Sequence, residues 1–286
     1  MAAWVPGCEG VAVVPYEEQL RQAKMEAARR SRLESVPQVK FRQNDSGVIV
    51  SSIQRRNAGW LMTGDSPTNA SPPDVPTRTI IAVRHRQPLH NKEPRYFVKA
   101  PGMVQIVSIE HYADYGTKWA DKGADLERWR SLISSAGPVV PPGREVRDVM
   151  GMAGIPWFNA SQCFYGKLRR KRFPWGDAVL YLTSYIQGRT GGHVNNDMLV
   201  LVVQGLTKDG RYAVNARFEI RHPGLPDSLW DESPKDRMLL PLEGGEGAVE
   251  RWLDTQPDYS FSPGIGQYES FLSAMEISSR ASGSMK

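Results

Sequence analysis

At 286 residues, with 40% hydrophobic and 9% aromatic content, the chain can fill the core of one large domain or two small ones. Its formal charge of +5 is scattered except in one cluster, which argues against a dedicated, sequence-specific nucleic-acid protein. Two distant cysteines, Cys8 and Cys163, and five dispersed histidines give no disulfide framework and no zinc spacing, so neither a metal nor a cofactor is expected. No run reaches the length of a membrane-spanning helix.

The first residues carry a small residue before a cysteine, Val5-Pro6-Gly7-Cys8, as at the processing site of a bacterial lipoprotein. The basic and apolar regions that precede such a site are missing, so either the start is trimmed or Cys8 is an ordinary residue near a frayed terminus. From Pro15 to Glu34 good helix formers open on Glu17-Glu18 and close on Arg29, Arg30 and Arg32, charges that suit the helix dipole at both ends. Its apolar content is thin, so residues 1–35 read as a tail with an exposed helix; a basic face on membrane lipid is the sharper alternative.

Val36 to Ile53 reads as one or two strands broken by the turn Asn44-Asp45-Ser46-Gly47. The Pro/Ser-rich segment 64–77 is a surface loop or linker: it marks the one plausible internal boundary, or it is a long loop within a single α+β domain spanning 36–278. Thr79 to Arg84 and Tyr96 to Val98 are short strands. Tyr112, Tyr115, Trp119, Leu126, Trp129, Leu132 and Ile133 then fall at helical intervals, a stripe that belongs in a core.

Ile155 to Tyr165 leads into a strand and Ala178 to Ile186 resumes one. The segment between them, with Lys167, Arg169, Arg170, Lys171 and Arg172 followed by Phe173 and Trp175, is expected to be the tip of a hairpin. There the cations either stay solvated or meet an anionic surface while the aromatics enter it. Leu199 to Val203 is a continuous apolar run, and Tyr212, Val214, Ala216 and Phe218 alternate with Ala213, Asn215, Arg217 and Glu219 as in a half-buried strand. Lys208-Asp209-Gly210 makes the two antiparallel neighbours. Gly244 to Leu253 offers a short helix, and Tyr259 to Pro263 precedes a last one with Tyr268, Phe271, Leu272 and Met275 inward. Residues 279–286 read as a disordered tail.

Three places invite chemistry. His193 with Asn195 and Asn196 sits on a Gly-rich connection, where the asparagines either close turns on their own backbone or form a small polar site. Cys163, ahead of His193 and His222, is either a buried structural thiol or half of a nucleophile pair in a cleft shared with a carboxylate such as Asp197. The basic segment is the third.

The segments IPWFNASQCFYGKL, YLTSYIQ, VNNDMLVLVVQGLTKDGRYAVNARFEI, HPGLPD and YSFSPGIGQYESFLSAMEI, in this order, resemble a family of uncharacterised bacterial lipoproteins or secreted proteins. Asn159-Ala160-Ser161-Gln162, Gln187, Asn195-Asn196 and Gln204 to Tyr212 carry the likeness, over roughly residues 95 to 278. The resemblance implies an extracytoplasmic location, secreted, periplasmic or lipid-anchored, against a cytoplasmic alternative. The order of elements is also similar to the PsbP/Mog1-like fold, an antiparallel β-sheet with flanking α-helices. Neither likeness implies a catalytic residue. The expectation is therefore a non-enzymatic binding module for an unknown protein or anionic surface, with peripheral membrane contact through the basic segment. A hydrolase near His193 or Cys163 and an accessory subunit of a membrane-associated complex are the alternatives.

Overall fold

The computed structural model describes residues 17–18, 20–25, 37–56, 78–85, 102–109, 127, 130–134, 161–186, 193–228 and 247–278. Strand dominates them, with few helices. The Pro/Ser-rich loop 64–77, Cys8, most of the aromatic stripe 112–133 and the tail 279–286 lie outside the described residues, while 20–25 are helical and exposed.

In chain order the strands are β1 (Gln38–Phe41), β2 (Val48–Arg56), β3 (Arg78–His85), β4 (Gly102–Ser108), β5 (Ser161–Gln162), β6 (Gly166–Phe173), β7 (Gly176–Thr183), β8 (Tyr185–Ile186), β9 (Val200–Thr207), β10 (Tyr212–Glu219) and β11 (Met275–Ser278). The helices α1 (Ala248–Thr255) and α2 (Ile265–Ser273) follow β10, separated by a short 3-10 turn, Asp258–Ser260. Seven strands form one antiparallel sheet in the order β2-β3-β4-β10-β9-β7-β6. Two small antiparallel pairs, β1 with β11 and β5 with β8, stand beside it.

The Asp-Gly turn acts as its sequence implies. Gly210 has φ 67°, and β9 runs antiparallel to β10 with Asn215 opposite Gln204. The turn between β1 and β2 is closed by Asn44, whose Oδ1 accepts the Ser46 N–H at 3.1 Å. Met275, read as the last apolar position of the closing helix, instead begins β11; α2 ends two residues earlier.

Both faces of the sheet are covered, which corrects the reading of β10 as half-buried. On the first face Leu180, Leu182, Leu201, Val203, Val214, Ala216 and Phe218 pack against Val249, Leu253, Tyr268, Phe271 and Leu272 of the two helices. On the second, Val179, Tyr181, Val200, Val202 and Ala213 pack with Ile133, Tyr165 and Val107. A strand buried on both sides carries a near-continuous apolar run, which is what Leu199 to Val203 is.

Candidate functional site

The basic cluster does not form a hairpin tip. It lies within β6, the edge strand, and a turn at Pro174-Trp175 joins β6 to β7. That tight connection brings Gly176 against β9: a Cβ there would stand 1.8 Å from the Leu206 carbonyl oxygen. Phe173 and Trp175 are buried, their rings stacked at 5.1 Å, and the Trp175 indole N–H donates to the Leu272 carbonyl at 3.0 Å. They are core residues, unavailable to an interface.

Strand alternation sorts the cations. Lys167, Arg169 and Lys171 share the helical face, where Lys167 lies 3.3 Å from Asp258, Arg169 lies 2.7 Å from Asp258 and 2.9 Å from Glu269, and Lys171 lies 2.7 Å from Glu269. Three positive and two negative groups thus alternate as a ladder. On the opposite face the Arg170 Nε–H donates to the Leu132 carbonyl at 2.9 Å. Arg172, whose side chain is 84% exposed, pairs with Asp177 at 2.9 Å. A bulge between Gly166 and Arg169, with Lys167 at φ 53°, distorts the start of the strand. Charge and bulge together protect an edge from pairing with another chain.

Asn195 and Asn196 close turns. The Asn195 Oδ1 accepts the Asp197 N–H at 3.1 Å, and its Nδ2 donates to the His193 carbonyl at 3.1 Å. Asn196, buried, donates to the carbonyls of His222 and Leu225, both at 3.1 Å, and accepts the His222 N–H at 2.8 Å. It pins the segment after β10 to the start of β9. His193 is half-buried beside this clamp, and residues 187–192 lie outside the described ones.

The carboxylate expected beside His193 is engaged elsewhere. Asp197 pairs with the largely buried Arg221 at 3.2 Å, and Glu219 pairs with the same guanidinium at 3.3 Å. Cys163 is half-buried and forms no disulfide; its backbone N–H bonds the Ser184 carbonyl at 3.0 Å.

A histidine–serine pair does occur, between His222 and Ser260 at 2.9 Å. The Gly224 N–H donates to His222 Nδ1 at 3.0 Å, so the neutral ring carries its proton on Nε2 and donates to Ser260 Oγ. Ser260 in turn donates to the Pro257 carbonyl at 2.7 Å. A base that activates a serine must accept its proton; here the order is reversed. Burial holds His222 below its ordinary pKa, with Trp252 and Phe261 each 4.9 Å from its ring. His85 is lowered for the same reason, and its Nε2 lies 2.8 Å from the Tyr268 hydroxyl, which donates to the Glu219 carbonyl. Burial, then Glu219, pushes the Tyr268 phenol up.

Sequence reasoning missed one group of residues. On the second face Gln105 of β4, Asn215 of β10 and Gln204 of β9 stand directly opposite one another in register. Their exposures are 2%, 3% and 1%, and Gln105 Oε1, Asn215 Nδ2 and Gln204 Oε1 have no hydrogen-bond partner. One donor lies between two acceptors across three neighbouring strands. In the adjoining row Arg217 is placed opposite Met103 and Val202, with its guanidinium 5.0 Å from the Tyr185 ring. Tyr181 meets Tyr165 edge-on at 5.4 Å; burial, then Tyr185 and Tyr165, pushes its phenol well up, with Arg217 opposing. The signal was available: three uncharged amides, each at an alternate position of an apolar strand.

Among the described residues no cluster of His, Cys, Asp and Glu is arranged to hold a metal ion, and no helix is long and apolar enough to cross a membrane. Comparison with family models, curated proteins and solved structures finds no match to the chain.

Proposed function

We propose that this protein is a non-enzymatic binding module that seats a small, uncharged polar ligand on the second face of its main sheet. The observation that carries the reading is the row Gln105, Asn215, Gln204, buried and in register with unpartnered polar atoms. Gln105 Nε2 donates to Met103 Sδ at 3.3 Å, but each of the three unpartnered atoms costs about 1–3 kcal/mol, which a ligand supplying the missing bonds would recover. A ligand offering an acceptor flanked by donors matches the row. The reversed proton order at His222 and Ser260, and the engagement of Asp197 with Arg221, favour binding over hydrolysis.

Docking of β6 to an anionic surface takes second place, because its cations already have partners and its aromatics are buried. An exported or lipid-anchored setting enters this proposal through the lipoprotein resemblance. The PsbP/Mog1-like topology, and with it an accessory-subunit role, is supported by α1 and α2 packing on one face of an antiparallel sheet.

The test is a triple variant, Gln105→Met, Asn215→Leu and Gln204→Met, compared with the parent by thermal unfolding. Amides kept for a ligand are a liability in the free protein, so the variant melts at the same or a higher temperature. A panel of monosaccharides, nucleosides and amino-acid amides then raises the melting temperature of the parent and leaves the variant unmoved. A variant that melts several degrees lower would make the row a structural network and sink the reading.

A further inference from the structure

Three segments far apart in sequence meet at His222: the connection before β9, the turn that follows β10, and the 3-10 turn between α1 and α2. Asn196 ties the first two, through the His222 N–H and the His222 and Leu225 carbonyls. Backbone bonds extend that tie, from the Asn196 N–H to the Pro226 carbonyl at 2.8 Å and from the Asp197 N–H to the Asp227 carbonyl at 3.0 Å. The imidazole ties in the third through Ser260 Oγ at 2.9 Å. Leu225 and Phe261 are buried here, and the ring of Trp252, on α1, meets that of His222 edge-on.

The closed junction has no place for a second proton on the ring. Nδ1 already accepts the Gly224 N–H at 3.0 Å, so a proton added there would face another donor. A Cβ built on Gly224 would stand 3.0 Å from the Trp252 ring and 3.1 Å from Nδ1, so this backbone is packed against both rings. A shift that parts the two donors therefore moves the Pro223-Gly224 turn relative to α1. The groups on the ring, Trp252, Phe261, Ser260, Gly224 and Asn196, carry no charge to compensate. Charged side chains of the same elements are engaged elsewhere: Asp254 accepts the Lys167 N–H, Asp258 pairs with Lys167 and Arg169, and Asp197 and Asp227 pair with Arg221. Glu250 and Arg251 have interactions of their own, and Tyr259 is turned to solvent.

We propose that His222 is the catch of an acid-released clasp: on taking up a second proton it frees the 222–227 turn from α1 while the seven-stranded sheet stays paired. Once the turn swings into water, the Nδ1–H and the Gly224 N–H each find a water acceptor. Opening uncovers Leu225, Phe261 and Trp252, an apolar patch that is covered near neutrality. Burial alone lowers the His222 pKa in the closed form, whereas in the open form the ring titrates at its ordinary 6.5. Below 6.5 the open fraction therefore grows, by at most about tenfold per pH unit for one proton, until the closed form protonates as well. Above it both forms are neutral and the open fraction is level.

Hydrogen exchange of the intact chain, followed by NMR from above to below pH 6.5 with the intrinsic exchange rate divided out, tests the clasp. Protection of the Asn196, Gly224 and Leu225 amides falls with pH by up to about tenfold per unit, while that of the β9–β10 ladder holds. His222→Gln offers Gly224 an acceptor that does not titrate, and its profile is flat. Ser260→Ala leaves the Nδ1 contact in place and keeps the slope. Should His222→Gln fold poorly, the parent alone decides, since its imidazole must titrate below 6.5. Three results overturn the proposal: an equal loss of protection in the β9–β10 ladder, an unchanged slope in a folded His222→Gln, or a parent imidazole that titrates at or above its ordinary value.

Discussion

The imidazole of His222 donates its Nε2 proton to Ser260 while its Nδ1 accepts the Gly224 N–H, so both ring nitrogens are committed with the ring neutral. A second proton would have to sit on Nδ1, facing another donor. Burial lowers the pKa from the ordinary 6.5. As pH falls through that value the unfolded chain takes up a proton that the folded chain refuses, and stability falls; above it both forms are neutral and the contribution is level. His85 adds to the slope in the same window. Urea denaturation at a series of pH values should therefore show stability declining below neutrality. Replacing His222 by Gln should flatten that decline, and an equally steep profile in the variant would remove His222 as its source.

The ladder on β6 makes a prediction about both stability and surface charge. Glu269, largely buried, holds Arg169 and Lys171, and Asp258 holds Lys167 and Arg169. Asp258→Asn with Glu269→Gln leaves three cations without their acids. With half-exposed partners screened by solvent, the loss should be about 1–3 kcal/mol. The same variant should co-sediment with phosphatidylserine vesicles at low salt more strongly than the parent does. Strong, salt-sensitive binding by the parent itself would restore β6 as a docking surface.

Trp175→Ala tests the burial of the aromatic pair. Its ring stacks on Phe173 and its N–H is held by the Leu272 carbonyl, so truncation opens a cavity and strands an acceptor. The expected cost is about 3–5 kcal/mol, read from denaturant unfolding. A change below about 1 kcal/mol would mean that the side chain is solvated.

Much of the strand order near the centre was legible because it rests on local chemistry. Asp209-Gly210 permits one tight turn, and the alternation from Tyr212 to Phe218 can face only one way. The basic segment was misplaced because its pattern is ambiguous locally: cations at 167, 169 and 171 suit a solvated loop as well as a strand whose partners, Asp258 and Glu269, come about a hundred residues later. Asn215 was read as solvent-facing for a related reason. The period of 2 says which residues share a face but not what covers it, and the cover arrives from distant elements such as Ile133. Asn195 and Asn196 followed the local rule for asparagine. The reach of Asn196 to residues 222 and 225 did not, since nothing near it in sequence announces that segment.

The strand order also says how this chain is joined. β2, β3 and β4 form one up-and-down ribbon and β6, β7, β9 and β10 another, with neighbours in chain order except that β8, paired with β5, intervenes between β7 and β9. The two ribbons meet along a single line, from Gly102 opposite Phe218 to Ser108 opposite Tyr212. This joint brings together chain segments about a hundred residues apart, so closing it costs more loop entropy than pairing β9 with β10 across the Asp209-Gly210 turn. Gln105 stands on one side of the joint and Asn215 and Gln204 on the other. The amide row is therefore absent from either ribbon alone, and comes into being when the two halves of the molecule find each other.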